Sequence, residues 1–100
     1  MSRNGVTLAD LPGVITALQR DRDAVQTVGV MSHFAYADEP SNPTIARQAD
    51  LFADSVDRLT AAGFELEVKH LSNSAATLGL PDTYFNLVRP GIAMYGISPG

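Results

Sequence analysis

Cysteine is absent from this chain, which excludes disulfides and thiolate chemistry. No apolar stretch approaches the roughly 20 residues that a bilayer-spanning helix needs. The amino terminus lacks the basic start and apolar run of a secretory signal. Positive charge is scarce as well: 7 basic residues stand against 11 acidic ones, for a formal net charge of −4. The basic residues are scattered, so no surface is predicted to neutralise a run of phosphates, and nucleic acid is excluded as a partner. Repeats, low-complexity tracts and linkers are also missing. Together these absences predict a cytoplasmic protein with no membrane partner.

What is present is a globular composition, 45% hydrophobic and 18% charged, in a chain of 100 residues, the size of one small domain. Leu8, Leu11, Ile15 and Leu18 recur at helical spacing and predict a helix over about 9–20, with Pro12 tolerated in its first turn. Residues 21–23 form a charged turn. The β-branched run 25–34 reads as a buried strand, and a Pro/Asn/Ser loop over 39–43 opens a longer helix. Ile45, Ala49, Phe52, Val56 and Leu59 mark that helix, and Gly63 stands where its C-terminus closes.

Residues 64–72 read as a second strand. Alternation puts Leu66, Val68, His70 and Ser72 on one face and Glu65, Glu67, Lys69 and Leu71 on the other. A short helix follows from Asn73 or Ser74 to Gly79. A third strand spans 86–95, interrupted or ended by Pro90-Gly91. Such alternation predicts an α/β fold with parallel strands and right-handed crossovers. A doubly wound sheet and a β/α barrel both satisfy it.

Three polar clusters fall at the carboxyl ends of these strands: Ser32-His33, then His70 to Ser74, then Arg89 to Ile92. In parallel α/β folds that edge is where sites are built. Asn73 and Ser74 open a helix, whose free amides suit a phosphate. The Ser74 hydroxyl and the amides around Gly91 and Ile92 would complete a cradle, and Gly91 lets backbone approach an anion closely. The alternative is that Ser74 is only an N-cap and Gly91 only a turn. A metal at His33 has little support, because Asp38 and Glu39 follow at spacings of no compact metal motif. Arg89 lies between a strand and a Pro-Gly turn, an unusual place for a purely structural arginine.

The segments Ser2-Arg3-Asn4-Gly5, Met31-Ser32-His33-Phe34-Ala35 with Ala37-Asp38-Glu39, His70 to Ser74 with Ala75-Ala76, and Val88-Arg89-Pro90-Gly91-Ile92-Ala93 with Tyr95-Gly96 resemble alanine racemase in order and spacing. That family joins an amino-terminal TIM-type (β/α)8 barrel, which holds pyridoxal 5'-phosphate (PLP), to a carboxy-terminal β-domain, and works as a homodimer. The resemblance implies that residues 1–100 are the later strands and helices of the barrel, from a bacterial enzyme that supplies D-alanine for peptidoglycan. It implies that Ser74, Gly91 and Ile92 hold the phosphate with Asn73 beside them. Arg89 would face the pyridine nitrogen, with His70 supporting it from behind. His33 would lie near the cofactor ring, and Arg3 would reach the cofactor's phenolic oxygen and the substrate carboxylate. A guanidinium stays protonated at ordinary pH, so Arg89 would donate a hydrogen bond without giving up a proton. The ring then stays a weaker electron sink, which favours reprotonation over transamination.

Racemisation by this route also needs a lysine that anchors the cofactor and a second proton-transfer group on the other face. In the family these are a lysine near the start of the barrel and a tyrosine from the other subunit's β-domain, and neither motif occurs here. Lys69, the chain's single lysine, falls on the strand face opposite His70, and Tyr36, Tyr84 and Tyr95 lie outside the tyrosine motif. A complete barrel takes about 250 residues. Both ends of the sequence therefore read as cuts, and the chain alone is expected to be inactive and marginally stable. Small single-domain PLP-homeostasis proteins of the same barrel family are the alternative. The His-x-x-Asn-Ser-Ala and Arg-Pro-Gly-Ile-Ala runs favour the racemase.

Overall fold

The computed structural model describes residues 5–39 and 41–99. Helix α1 (Leu11–Arg20) leads to strand β1 (Gly29–Met31), helix α2 (Thr44–Ala61), strand β2 (Val68–Ser72), the short helix α3 (Ser74–Gly79) and strand β3 (Leu87–Val88). Turns of 3-10 helix lie between α3 and β3 at Pro81–Thr83 and after β3 at Ile92–Tyr95. The strands lie in sequential order β1-β2-β3 and pair in parallel. Neighbouring parallel strands joined through helices, with no reversal of order, are the repeating unit of a barrel wall and equally of one half of a doubly wound sheet. A doubly wound sheet reverses its order at a switch point, and none occurs among the described strands.

The helical spacing of α2 decides where the core sits. Its residues Ile45, Phe52 and Val56 join Phe34, Ala37, Leu71 and Ala76 in one buried cluster between helix and sheet. Phe34 and Leu71 are fully enclosed, and burying a side chain of that size stabilises the fold by about 1.5–3 kcal/mol. Gly63 closes α2 with φ +94°. Its amide donates to the Thr60 carbonyl while that of Phe64 reaches back to Leu59. That pair of bonds needs a left-handed residue, which glycine adopts without steric cost.

Gly29 has a different reason. It pairs with Val68 across β1 and β2, and a Cβ there would lie 2.7 Å from the Val68 carbonyl oxygen. Only a residue without a side chain lets the two strands come this close.

Four elements depart from expectation, among them β2, which is confined to Val68–Ser72 rather than 64–72. β1 is confined to Gly29–Met31 rather than 25–34. Upstream of it the amides of both Glu67 and Val68 donate to the single Val28 carbonyl. Two residues opposed to one is a bulge, and it resets the alternation of β2. Leu66 consequently packs against the same core as Leu71, although strict alternation puts them on opposite faces. β3 is only Leu87–Val88 instead of 86–95, because the residues beyond Arg89 bend away into the 3-10 turn that meets α3. α1 starts at Leu11 rather than near residue 9; Leu11 is buried, Ile15 and Leu18 are half-exposed, and Leu8 lies in the turn before the helix.

Candidate functional site

The carboxyl ends of β1, β2 and β3 converge on one cleft of about 390 Å³, lined among others by His33, Asn73, Ser74, Arg89, Gly91 and Ile92. That volume is in the range of small-molecule sites, roughly 300–1,000 Å³. Six of the eight residues singled out in the sequence therefore share one wall. His70 stands behind Arg89, outside the lining. Arg3 lies outside the described residues.

The turn from β2 into α3 separates two roles that the sequence left open. Asn73 is the N-cap: its Oδ1 accepts the Ala76 amide at 3.1 Å. Ser74 is thereby released from capping. Its Oγ instead accepts the amides of Gly91 at 2.6 Å and Ala93 at 3.2 Å. A hydroxyl has two lone pairs and one proton. With both lone pairs engaged, the Ser74 hydroxyl can offer an incoming group only its hydrogen, which suits an anion. These bonds also turn residues 92–95 out of the sheet and bring the Gly91–Ile92 backbone over the start of α3. A Cβ on Gly91 would stand 3.9 Å from Ser74 Oγ, over the hydroxyl that faces the cleft.

Arg89 is held by an unusual set of partners. Its Nη1 meets His70 Nδ1 at 2.5 Å. Its Nη2 donates to the carbonyls of Ser32 at 2.8 Å and Leu71 at 3.3 Å, and lies 3.4 Å from His33 Nδ1. The ion pairs among the described residues are Arg20–Asp21 and Arg58–Asp54, so no described carboxylate neutralises Arg89. Guanidinium has no acceptor, so His70 Nδ1 must be the acceptor and its proton must sit on Nε2. Burial and the adjacent Arg89 charge hold the His70 pKa below its ordinary value. Burial also lowers that of Arg89, which starts high enough for the guanidinium to stay cationic at ordinary pH. Among the described residues the Nε–H of Arg89 has no hydrogen-bond partner.

Two further residues shape this site: Gln48, which the sequence did not single out, and Ser72, which it placed in the second polar cluster without a role. Gln48 of α2 accepts the Ala35 amide at 3.0 Å and donates to the His33 carbonyl at 3.4 Å, which ties the loop after β1 to the helix. Ser72, fully buried, donates through Oγ to the Thr83 carbonyl at 2.9 Å. Its carbonyl accepts the Arg89 amide at 2.8 Å. Gln48 carried a weak signal, as a polar residue beside the apolar stripe of α2. Ser72 was visible only as part of the polar cluster, because its partner Thr83 lies 11 positions along the chain. Lys69 is paired with Val30 in register, and Val30 packs against the core. Lys69 is not a lining residue of the cleft. Among the described residues no three His, Asp or Glu side chains converge as metal ligands, and no helix is long and apolar enough to cross a membrane.

Residues 1–99 match the family model described as alanine racemase, N-terminal domain. The alanine racemase of Salinispora arenicola is 48% identical over 101 residues, covering 99% of this chain and 27% of that protein. Among solved structures, alanine racemase from Streptomyces coelicolor A3(2) superposes with a TM-score of 0.92 at 45% identity, over 97% of this chain and 26% of that one. The enzyme from D-cycloserine-producing Streptomyces lavendulae gives 0.91 at 46% identity, over 98% and 26%. The chain thus spans about a quarter of the length of the relatives it matches. Its parallel strands form part of a TIM-type barrel, and the chain belongs to the alanine racemase N-terminal domain family.

Proposed function

We propose that residues 1–100 are the cofactor-holding part of a PLP-dependent alanine racemase, an isomerase that interconverts L- and D-alanine. The observation that carries this reading is a doubly engaged serine hydroxyl, Ser74, and an arginine that no described carboxylate neutralises, Arg89, in one cleft. An anion donor at one end and a permanent cationic donor at the other suit a phosphorylated ring bearing a basic nitrogen. The residues therefore fit PLP.

In this reading the Ser74 O–H and the Ile92 amide bind the phosphate, Gly91 lets the backbone approach it closely while its own amide holds Ser74 Oγ, and Asn73 keeps the α3 terminus in place beneath it. Arg89 directs its remaining Nε–H at the pyridine nitrogen. His70 keeps the guanidinium there by accepting on Nδ1, and the Ser32 and Leu71 carbonyls fix its plane. His33 borders the ring, and Arg3 takes the substrate carboxylate. When bound, PLP supplies the electron sink that loosens the Cα–H bond of the amino acid. Because Arg89 donates without losing its proton, that sink stays moderate, and return of a proton to Cα is favoured over transamination. The covalent lysine and the second proton-transfer tyrosine come from outside residues 1–100, and the complete enzyme works as a homodimer. D-alanine for peptidoglycan in the bacterial cytoplasm is the product role that follows.

The test is PLP loading, followed by absorbance, of a chimera in which these residues replace the matching segment of the Streptomyces coelicolor enzyme. A hydrogen bond to a charged group contributes about 1.5–3 kcal/mol. Ser74→Ala should therefore weaken PLP binding by roughly ten- to a hundredfold, and Lys69→Ala should leave it unchanged. Loading that survives Ser74→Ala but is lost with Lys69→Ala contradicts the proposal.

A further inference from the structure

We propose that Asn86 is a positioning residue for Arg89: its side-chain amide clamps β3 to β2 and so sets where the guanidinium lies in the cleft. The inference deepens the functional reading above and rests on it for the role of Arg89.

The need for a clamp comes from β3 itself. The strand is two residues long, and its pairing with β2 is irregular, with His70 opposite Leu87 but Ser72 opposite Val88. Leu71 is thus an extra residue on β2. In a ladder this short, a slip of one residue costs little pairing and turns every side chain to the other face. Arg89 would then point away from His70 and Ser32, and its four present partners would be lost together. Something must fix the register just before Arg89.

Asn86 does this with three bonds to Glu67 and Lys69, at the entry to β2. Its backbone amide donates to the Lys69 carbonyl at 3.2 Å. Its Oδ1 accepts the Lys69 amide at 2.6 Å, and its Nδ2 donates to the Glu67 carbonyl at 2.9 Å. A carboxamide presents a donor and an acceptor side by side, as a peptide unit does. The side chain therefore stands in for an additional residue of β3, and its orientation is fixed because one partner is an N–H and the other a carbonyl. On the far side of the bulge the Arg89 amide donates to the Ser72 carbonyl at 2.8 Å. β3 is thus pinned on both sides of its irregular pair. The preceding residue, Phe85, has a left-handed φ of 49° and packs edge-on against Phe52 of α2 at 4.8 Å, which anchors the turn that delivers Asn86. Asn86 does not line the cleft, so any effect on bound cofactor passes through the residues that β3 delivers to it, Arg89 and the Gly91–Ile92 backbone, and the His70 tautomer is the readout specific to Arg89.

The experiment uses the chimera described above, unsubstituted and with Asn86→Ala. Histidine 15N NMR without PLP reads the His70 tautomer directly, with the resonance assigned by its loss in His70→Gln. The unsubstituted protein should show proton on Nε2 alone. Asn86→Ala should give a mixture, because Arg89 no longer occupies Nδ1. In PLP-loaded protein at equal cofactor content, the share of turnover lost to transamination should rise several-fold. If Asn86→Ala does not fold, Asn86→Ser retains an oxygen for the Lys69 amide without the reach to Glu67, and the same shifts are expected in smaller degree. A folded variant with the His70 tautomer and the transamination share both unchanged overturns the clamp. An unsubstituted chimera that neither loads PLP nor racemises alanine contradicts the functional reading, and the His70 tautomer alone then decides the clamp.

Discussion

Replacing Gly29 with alanine tests the packing of the sheet and, through it, the site. The added Cβ would lie 2.7 Å from the Val68 carbonyl oxygen and 3.1 Å from the Val68 Cβ. The nearer contact is with backbone, so no flexible side chain can turn aside. β1 must move away from β2 by several tenths of an ångström, which is overpacking of the kind that costs about 1–3 kcal/mol. The displacement also carries Ser32, whose amide donates to the His70 carbonyl and whose own carbonyl accepts from Arg89. Gly13→Ala is the internal control. Gly13 lies within α1, and a Cβ added there would meet nothing within 4 Å, so alanine should stabilise by about 0.5–1 kcal/mol. Urea denaturation of the chimera followed by far-UV circular dichroism reads both. With a slope of about 3 kcal/mol per M, Gly29→Ala should lower the midpoint by roughly 0.3–1 M, while Gly13→Ala raises it by roughly 0.2–0.3 M. Equal midpoints for parent and Gly29→Ala, or shifts of the same sign for both variants, would refute the reasoning.

Two further predictions concern the arginine and its histidine. The folded-state pKa of His70 is lowered by burial first and by Arg89 second, so the folded protein binds a proton there less readily than the unfolded chain does. Its contribution to stability is complete above the unfolded value of about 6.5 and is lost as pH falls from there through the lowered folded value. Denaturation midpoints measured across that window should decline more steeply for the parent than for His70→Gln. Parallel slopes would show that His70 is not held neutral. Arg89→Glu in the PLP-loaded chimera should raise transamination relative to racemisation, measured as the product ratio, and an unchanged ratio would count against the role assigned to the guanidinium.

What the sequence disclosed depended on whether a signal was local. The stripe Ile45, Phe52, Val56 located α2 because each residue of it faces the same core. Gly63 marked the end of that helix because a left-handed position is a property of one residue. The polar clusters after β1, β2 and β3 were legible for a similar reason, since parallel strands bring their carboxyl ends to one edge. β1 and β3 were over-extended because apolar, β-branched runs continue past the point where a partner strand exists. Nothing near residues 92–95 announces that the Ser74 hydroxyl will draw the Gly91 and Ala93 amides out of the sheet. Arg89 reaches Ser32 across 57 positions and Asn86 reaches Glu67 across 19. Such bonds have no periodicity to betray them. The division of labour between Asn73 and Ser74 was equally hidden, because either residue type caps a helix well.

The most direct measurement of the central claim is alanine racemisation by the chimera, followed as the conversion of L-alanine to D-alanine with PLP supplied. PLP-dependent racemisation is expected, falling when Ser74→Ala is introduced and persisting with Lys69→Ala. A chimera that is folded and dimeric but neither holds PLP nor converts L-alanine would contradict it.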